Sequence, residues 1–308
     1  MEFIMQGGRV RRGRWIASSQ AKTPPAERVR VKQKAAGTEA RRSNPFYLAE
    51  LYHENSKYRP DLMSALVPHP KYAKPDVFGT GEWLEVPGYD ALPGIGTPLG
   101  EALRTRRSSW DFHDAITMEE LSVLLQYAFG SPASKPVSED GVHWFELKYR
   151  TYPSGGALYP TDIYLYANRV SDLEKGLYRF SSYESRLYTV VKGNLDARIN
   201  ALTSVTDPER NPLFGSNTFA QAAVFIFISL NFTNQSDKYR LRAYRLGLLE
   251  AGHAAQNVLL AAAATGMTGA PLAGFYDDRA NGLLGLDGLE QTVVYMIPLG
   301  KKKGERKA

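Results

Sequence analysis

A lysine–tyrosine pair, Lys238-Tyr239, has the chemistry of a proton-transfer group. It comes directly after a polar stretch, 231–237, which follows an apolar run of strand length. An amine crowded by other cations, or a phenol in a suitable environment, can accept a proton from a reacting carbon. Lysine and arginine residues crowd 238–245, and the macrodipole disfavours cations at a helix N-terminus, so this cluster requires a partner. The alternative is a basic helix start on the surface.

A turn rich in glycine, Pro153-Ser154-Gly155-Gly156, is a second candidate. Two adjacent glycines allow the backbone to come close to a flat polar ligand, so that amide N–H groups can face it. Ser154 adds a hydroxyl. The spacing fits neither a Walker P-loop nor a dinucleotide fingerprint. An ordinary turn between strands is the alternative.

A third cluster is the arginine-rich segment that contains Arg106, Arg107 and Ser108 at the end of a predicted helix. Arginines and hydroxyls in one place offer charge-assisted, bidentate contacts to a phosphate or a carboxylate. A solvated basic helix end explains the segment equally well.

Metal chemistry has little support in the sequence. The chain has no cysteine, which excludes thiolate-bound zinc, iron–sulfur clusters and cysteine nucleophiles. The five histidines show no metal-ligand spacing, so we predict no metal site. His253 lies in an apolar helical segment and is predicted to be a core residue.

Charge is concentrated at the two ends of the chain. Residues 1–44 contain 11 Lys or Arg and 3 Asp or Glu, residues 301–308 contain 5 and 1, and residues 45–300 contain 22 and 28. The mildly acidic body argues against a nucleic-acid-binding face. We interpret 1–44 as a disordered basic tail, with docking to an acidic peptide or protein as the sharper alternative.

No segment is predicted to enter a membrane. Arginines interrupt the start of the chain too early for a signal peptide. The most apolar stretch, 246–267, contains Glu250, His253, Gln256 and Asn257, which favours a buried helix over a lipid-facing one. Together with the missing cysteines, this favours a cytoplasmic protein.

The pattern of elements predicts an α+β fold. Helices and strands are mixed without a βαβ rhythm. Residues 45–97 are predicted to form a helix and a Pro/Gly-rich irregular connector, 98–300 the main domain, and 301–308 a basic tail. Residues 131–142 are predicted to be a polar loop. Predicted helices span 45–53, 99–106, 117–129 and 239–266, and predicted strands 144–149, 162–167, 176–180, 186–190, 222–230 and 292–298.

Several motifs occur together in a characteristic order. They are Tyr52–Lys57, Arg106-Arg107-Ser108 with Phe112, Pro153–Pro160, Gly176-Leu177-Tyr178, Lys238-Tyr239 with Arg242–Arg245, Glu250–His253 with Gln256-Asn257, Gly266, Gly274-Phe275, and Leu286-Asp287 with Glu290. In this order they resemble the azoline dehydrogenases of ribosomal peptide biosynthesis. This is the nitroreductase-like family that includes the thiazole- and oxazole-forming oxidases of microcin B17 and streptolysin S biosynthesis. The resemblance covers about 45–300.

The resemblance implies FMN bound at the interface of an intertwined homodimer, on a helix-flanked, mostly antiparallel sheet. By position, Lys238 and Tyr239 match the catalytic pair that takes the ring proton, and Trp110 stands where the family usually has arginine or lysine. The implied cofactor-binding residues are Arg106, Arg107 and Ser108 at the phosphate and ribityl end, Pro153, Ser154, Gly155 and Gly156 along the isoalloxazine, and Lys301 near the phosphate.

The implied activity is FMN-dependent oxidation of peptide thiazolines or oxazolines to thiazoles or oxazoles. The implied partners are an azoline-containing precursor peptide and a cyclodehydratase complex. Three alternatives remain at the level of sequence: an NAD(P)H-dependent nitroreductase, a catalytically weak scaffold subunit, which Trp110 favours, and nucleic-acid binding through 1–44, which the acidic body disfavours.

Overall fold

The computed structural model describes residues 46–58, 81–139, 142–205 and 219–301, and two short strands nearer the N-terminus. The chain divides into two compact units, Met1–Leu51 and Tyr52–Ala308. In the first unit, strands β1 (Met5–Gln6) and β2 (Arg9–Val10) pair antiparallel. The rest of the predicted tail 1–44 and residues 302–308 lie outside the described residues.

Seven α-helices occur in the described part of the chain. A complete capping box of Thr117 and Glu120 begins the third, as predicted. The first runs two residues beyond its predicted end, and no described helix is both long and apolar enough to span a bilayer. The helices are α1 Tyr47–Asn55, α2 Leu99–Thr105, α3 Met118–Phe129, α4 Asp196–Asn200, α5 Thr233–Tyr239, α6 Arg242–Ala264 and α7 Asp277–Leu284.

The main sheet has seven strands in the order β12-β13-β11-β7-β9-β10-β3, and every neighbouring pair is antiparallel. This confirms the predicted α+β fold with a mostly antiparallel sheet. Short strands β4 (Ile116–Thr117) and β8 (Val170–Ser171) pair separately. The strands of the main sheet are β3 Trp83–Glu85, β7 Thr161–Ala167, β9 Gly176–Ser181, β10 Arg186–Lys192, β11 Val224–Asn231, β12 Met267–Gly269 and β13 Gln291–Lys301.

The sheet is buried on both faces, which explains the continuous apolar run of β11. Along that strand, Ile226 and Ile228 join the core cluster that contains α3 and α6 residues. Phe225 and Phe227, which point the other way, join the cluster that contains α7 residues. A central strand covered on both faces has no polar side, so its sequence lacks alternation.

Two predictions between 59 and 142 are wrong in part. Residues 131–142 were expected to form a loop, but β5 (Ala133–Glu139) pairs with β6 (Val142–Tyr149) in a separate ribbon. Most described β5 side chains are exposed, so the strand is polar and resembles a loop in composition. Within the expected connector, β3 is the edge strand of the main sheet; residues 59–80 lie outside the described residues.

The long helix predicted over 239–266 is present as α6, which begins three residues later than predicted and is preceded by the separate short helix α5. Arg240 has φ 48° and ψ −134°, which ends α5 at Tyr239, and α6 begins at Arg242. Lys238 and Tyr239 therefore lie in the last turn of a short helix and not at the start of the long one. The macrodipole favours a cation at that end, so the electrostatic argument for a partner no longer applies to Lys238; it still applies to Arg242 and Arg245 at the start of α6. Gly266, at φ 75°, follows the end of α6 as predicted.

Candidate active site

The catalytic candidates Lys238 and Tyr239 meet the glycine turn. A Cβ placed on Gly156 would lie 2.7 Å from the phenol oxygen of Tyr239 and 2.8 Å from Nζ of Lys238. Gly156 has φ 67°, a conformation that glycine adopts without strain. The absent side chain thus leaves the space in which the amine and the phenol converge. Lys238 Nζ also lies 5.4 Å from the centre of the Tyr239 ring.

The turn is fixed to α5 by a glutamine that the sequence analysis missed. Gln235 Nε2 donates to the Gly155 carbonyl at 3.4 Å. Gln235 is 1% exposed, and its Oε1 is buried with no hydrogen-bond partner in the described structure. Helical spacing places Gln235 on the same face as Lys238 and Tyr239. The residue was missed because the polar stretch 231–237 was not recognised as helical.

Burial raises the pKa of the Tyr239 phenol above its ordinary value. The neutral phenol is therefore the dominant form near neutral pH. In this state Tyr239 can donate a hydrogen bond and is a poor proton acceptor. Tyr239 is therefore suited to hold a bound group through a hydrogen bond from its phenol, and the Lys238 amine lies beside the same space.

Beneath the turn lies a buried chain of hydrogen bonds. Arg150 Nη1 donates to the Tyr152 phenol at 2.7 Å, which lies 2.8 Å from Thr161 Oγ1. Thr161 Oγ1 in turn donates to Glu250 Oε1 at 2.8 Å. Burial raises the pKa of Tyr152 to about 12, against the lowering effect of Arg150. Apart from Glu250, which belongs to a motif above, these residues gave no signal because they become neighbours only in the fold.

The Tyr52–Lys57 motif packs beside the catalytic pair. Arg245 Nη2 donates to Ser56 Oγ at 2.6 Å, and Arg242 Nε donates to the Ser56 carbonyl at 3.1 Å. The guanidinium of Arg242 lies 4.2 Å from the centre of the Tyr58 ring. The pKa of Tyr58 is raised by burial, with a smaller contribution from Tyr239, which places the two phenols near one another. The basic residues after Tyr239 therefore anchor a wall of the site.

The arginine cluster lies at another place. Ser108 forms a bridge with Gly269, and Arg106 and Arg107 line a cleft of about 190 Å³ together with Leu259 and Thr268. Thr268 is 4% exposed, and its Oγ1 has no hydrogen-bond partner in the described structure. A cationic cleft with a spare hydroxyl is suited to an anionic group.

Three of the residues singled out in the sequence make contacts within the chain. Arg107 Nη1 donates to the carbonyls of Arg104 and Arg106 at 2.9 and 2.8 Å, so it caps the end of α2. Lys301 is the last residue of β13 and not a position after it, and its Nζ lies 2.7 Å from Glu120 Oε1. The ring centres of Trp110 and Phe219 lie 5.9 Å apart, and Trp110 is half-buried against the core.

The two groups of candidates lie at opposite ends of α6. Gly155 approaches Leu246 near the beginning of the helix, whereas the arginine cleft includes Leu259 and Ala263 near its end. At a rise of about 1.5 Å per residue, Leu246 and Leu259 are roughly 20 Å apart along the axis. Within one chain, the structure brings the turn and the Lys238–Tyr239 pair together and leaves Arg106, Ser108 and Lys301 at a distance.

No metal cluster is found among the described residues: no group of three or more histidines and carboxylates could hold an ion. The prediction that His253 is a core residue is wrong, because its side chain is exposed on α6. The apolar character of the helix arises from its other face, where Ala251, Ala254 and Ala255 are buried.

Taken separately, the two sets of residues match the two parts of a flat, phosphorylated cofactor such as FMN, although they lie at opposite ends of α6 within one chain. Gly155 and Gly156 leave space that a Cβ would fill, beside a buried amide oxygen without a partner at Gln235. The arginine cleft offers charge and a hydroxyl without a partner at Thr268. The first set suits a polar ring and the second an anion.

Residues 103–301 match a family model that is described as "Nitroreductase family". The chain belongs to the nitroreductase family. Among its relatives, the Escherichia coli microcin B17-processing protein McbC is 28% identical over 226 residues, which cover 71% of this chain and 75% of McbC. The resemblance drawn from the ordered motifs is thereby confirmed.

Other members share the fold at lower or similar identity. A protein of Methanocaldococcus jannaschii, provisionally named a nitroreductase, is 26% identical over 224 residues, which cover 72% of this chain and 98% of the relative. A crystal structure of a provisionally named nitroreductase from Anabaena variabilis has a TM-score of 0.61 at 23% identity. That match covers 82% of this chain but 46% of the Anabaena chain, and it shows the fold alone.

Proposed function

We propose that this protein is an FMN-dependent dehydrogenase that oxidises thiazolines or oxazolines in a modified peptide to the aromatic thiazoles or oxazoles. The observation that carries the proposal is the convergence of the Lys238 amine and the Tyr239 phenol in the space above Gly156. Aromatisation requires removal of a ring proton, and this chain places a possible acceptor and a possible donor beside a turn suited to a flat ring.

The family relationship supports the same chemistry. Membership of the nitroreductase family favours an oxidoreductase, and one relative is by name a microcin B17-processing protein. A flavin enzyme that processes a peptide would use both features of the site: the residues suited to a flavin, and a proton acceptor such as Lys238. We extend the proposal to the partners: an azoline-containing precursor peptide, and a cyclodehydratase complex that forms the azoline, in the cytoplasm.

Each residue of the turn and of the pair has a role in this proposal. Lys238 accepts the proton from the ring carbon, and Tyr239 orients the ring through a hydrogen bond from its neutral phenol. Pro153, Ser154, Gly155 and Gly156 bind the polar ring of the cofactor. A bound FMN would supply the two-electron oxidation of the azoline, with dioxygen as the final oxidant.

The distance between the two groups of candidates supports a homodimer. The α6 face that includes Leu248, Leu249 and His253 is exposed in the single chain. If two copies pack these faces antiparallel about a two-fold axis, the beginning of one α6 lies beside the end of the other. The glycine turn of one protomer would then meet the Arg106–Ser108 cluster of its partner. Arg106 and Ser108 would hold the phosphate there, while Arg107 and Lys301 would be outer, supporting charges.

The test is the visible spectrum and turnover of purified Lys238→Ala and Tyr239→Phe variants. We expect both to retain bound FMN, Lys238→Ala to lose azoline oxidation by about 100-fold or more, and Tyr239→Phe to lose less. Lys192→Ala is the control, because Lys192 is an exposed lysine of β10 that pairs with Glu82 and Glu174. Undiminished turnover in Lys238→Ala would remove the proposed base, and colourless wild-type protein that takes up no FMN would contradict the cofactor.

A second candidate function is reduction of nitro compounds or flavin by NAD(P)H. It is favoured by the Methanocaldococcus jannaschii relative, of which 98% is matched. Stopped-flow mixing of the FMN-loaded protein with NADPH under nitrogen separates the two functions. Rapid bleaching of the flavin supports the nitroreductase, whereas slow bleaching by NADPH and fast bleaching by an azoline peptide support the dehydrogenase.

A further inference from the structure

A buried glutamate under the glycine turn has a role that neither the motif order nor the family assigns. Glu250 lies on α6, is 2% exposed, and belongs to the face of the helix that contacts the sheet. Its Oε1 accepts from Thr161, whereas its Oε2 is buried and has no hydrogen-bond partner in the part of the chain that the structure describes. An ionised carboxylate would leave negative charge on an oxygen that no donor solvates, which is costly.

The hydrogen-bond directions are compatible with a neutral acid. The Thr161 hydroxyl has one proton, which it donates to Glu250 Oε1, so Oε1 acts as the carbonyl oxygen. The other hydroxyl that acts on the carboxyl is Ser154, and its interaction with the ionised form lowers the pKa of Glu250. In the neutral acid, the O–H on Oε2 can donate to Ser154 Oγ, because a hydroxyl oxygen has two lone pairs. Ser154 Oγ also accepts from the Tyr159 N–H at 2.9 Å.

The segment between those two hydroxyls has a strained backbone. Ala157 and Tyr159 have φ values of 52° and 44°, which residues with a side chain seldom adopt. Such a conformation persists only when its surroundings hold it. Glu250 acts on Ser154 before the strained positions and on Thr161 after them.

We propose that Glu250 is a positioning residue that, as a neutral carboxylic acid, clamps residues 154–161 from below and so holds Gly155 and Gly156 under the Lys238–Tyr239 pair. The inference rests on the proposed function only where it treats that turn as part of the cofactor site. The clamp itself does not depend on what the chain binds. Burial raises the pKa of Glu250 above its ordinary value of 4.5, opposed by Ser154, Thr161 and Arg150. The other titratable groups that act on it are Tyr152 and Tyr159.

The first test is the free energy of unfolding as a function of pH for wild type and Glu250→Gln. Between pH 4.5 and the raised folded-state pKa, the folded chain binds one proton more than the unfolded chain. Wild-type stability therefore falls through this window as pH rises, and the difference levels off above it. The amide cannot titrate, so the free energy of unfolding of Glu250→Gln increases relative to that of wild type as pH rises. If the stability curves of wild type and Glu250→Gln were parallel over this window, the proposal that Glu250 is a neutral acid would be overturned.

The matched control is Asp162→Asn, which replaces the acid next to Thr161. Asp162 is 6% exposed and its Oδ1 lies 2.7 Å from Arg179 Nη2, so this carboxyl, unlike that of Glu250, has a cationic partner. We expect this variant not to gain on wild type over the same window. A gain equal to that of Glu250→Gln would show that the pH effect is not specific to Glu250.

The second test is FMN affinity, measured by fluorescence quenching. We expect Glu250→Ala to weaken binding about tenfold and Glu250→Gln to remain within about threefold of wild type, since the amide can replace both hydrogen bonds. Equal affinity of all three proteins would refute the clamp. If no protein binds FMN while the stability curves still diverge, the proposed function fails and the neutral acid stands. If Glu250→Ala does not fold, weak binding by Glu250→Gln would refute the clamp.

Discussion

At the scale of single residues, the candidate site depends on Gly156, because glycine has no side chain. Gly156 leaves space for the terminal atoms of Lys238 and Tyr239, and its φ of 67° suits glycine. Both neighbouring atoms are the far ends of flexible side chains, so an added methyl group would displace them without disturbing the core. A small change at this position should therefore affect chemistry more than folding.

We expect Gly156→Ala to lower turnover by about 10- to 100-fold, because small displacements of reacting groups are costly, while the φ strain lowers stability by about 1 kcal/mol. Gly155→Ala is the control: its Cβ would meet Leu246 Cδ1 at 3.2 Å and stay 3.6 Å from Gln235 and Tyr239. Steady-state kinetics and thermal unfolding on the FMN-loaded proteins measure both effects. Equal losses of turnover in the two variants would argue against displacement of the pair.

At the scale of elements, the sequence correctly predicted the helices and strands that are marked by a signal within one short segment. The capping box of Thr117 and the apolar run of β11 both appear where expected, because each signal is contained in one short segment. The ribbon of β5 was missed because its exposed side chains are polar. The break after Tyr239 was missed because Arg240, a residue common in helices, adopts a positive φ that only the fold imposes.

Part of the site was predictable for the same reason. Ser154, Gly155 and Gly156, and likewise Lys238 and Tyr239, form short motifs whose chemistry is visible in the sequence. Thr161 and Glu250 are joined by a hydrogen bond across α6 and β7, and Gln235 reaches Gly155 across the site. Such contacts between distant segments leave no local pattern. The separation of Arg106 from the turn also depends on the course of α6.

The break at Arg240 gives an element-scale prediction. Its φ of 48° and ψ of −134° are costly for a residue with a side chain, by about 1–3 kcal/mol. Arg240→Gly should remove that strain and raise the free energy of unfolding by about 1 kcal/mol, after the entropy that glycine gains in the unfolded chain. Arg240→Ala retains the strain and is the control. Urea denaturation measures both, and a destabilised glycine variant would contradict the strain.

At the scale of the whole molecule, the proposed function implies that the single chain contains two incomplete halves of a site. One half is the turn with Lys238 and Tyr239, and the other is the cleft of Arg106. The same helix that separates them presents large exposed apolar side chains, Tyr244 at 46%, Leu248 at 42% and Leu249 at 57% exposure, and Leu241, immediately before it, is 58% exposed. Apolar groups clustered on one helix face are typical of a surface that another protein covers. The face that would bury apolar area in a dimer is thus the face that would join the halves.

Assembly and cofactor binding should therefore fail together. We expect Leu249→Glu to be folded, since glutamate is a good helix former, but monomeric in analytical ultracentrifugation. Because each monomer then has only separate half-sites, its FMN affinity should fall about tenfold or more. Leu289→Glu is the control, since Leu289 is 83% exposed in the turn before β13 and lies outside α6. A monomeric Leu249→Glu that binds FMN as tightly as wild type would mean that one chain completes the site, and the two-copy arrangement would have to be abandoned. A variant that remains dimeric and loses FMN would instead place Leu249 in the cofactor site itself.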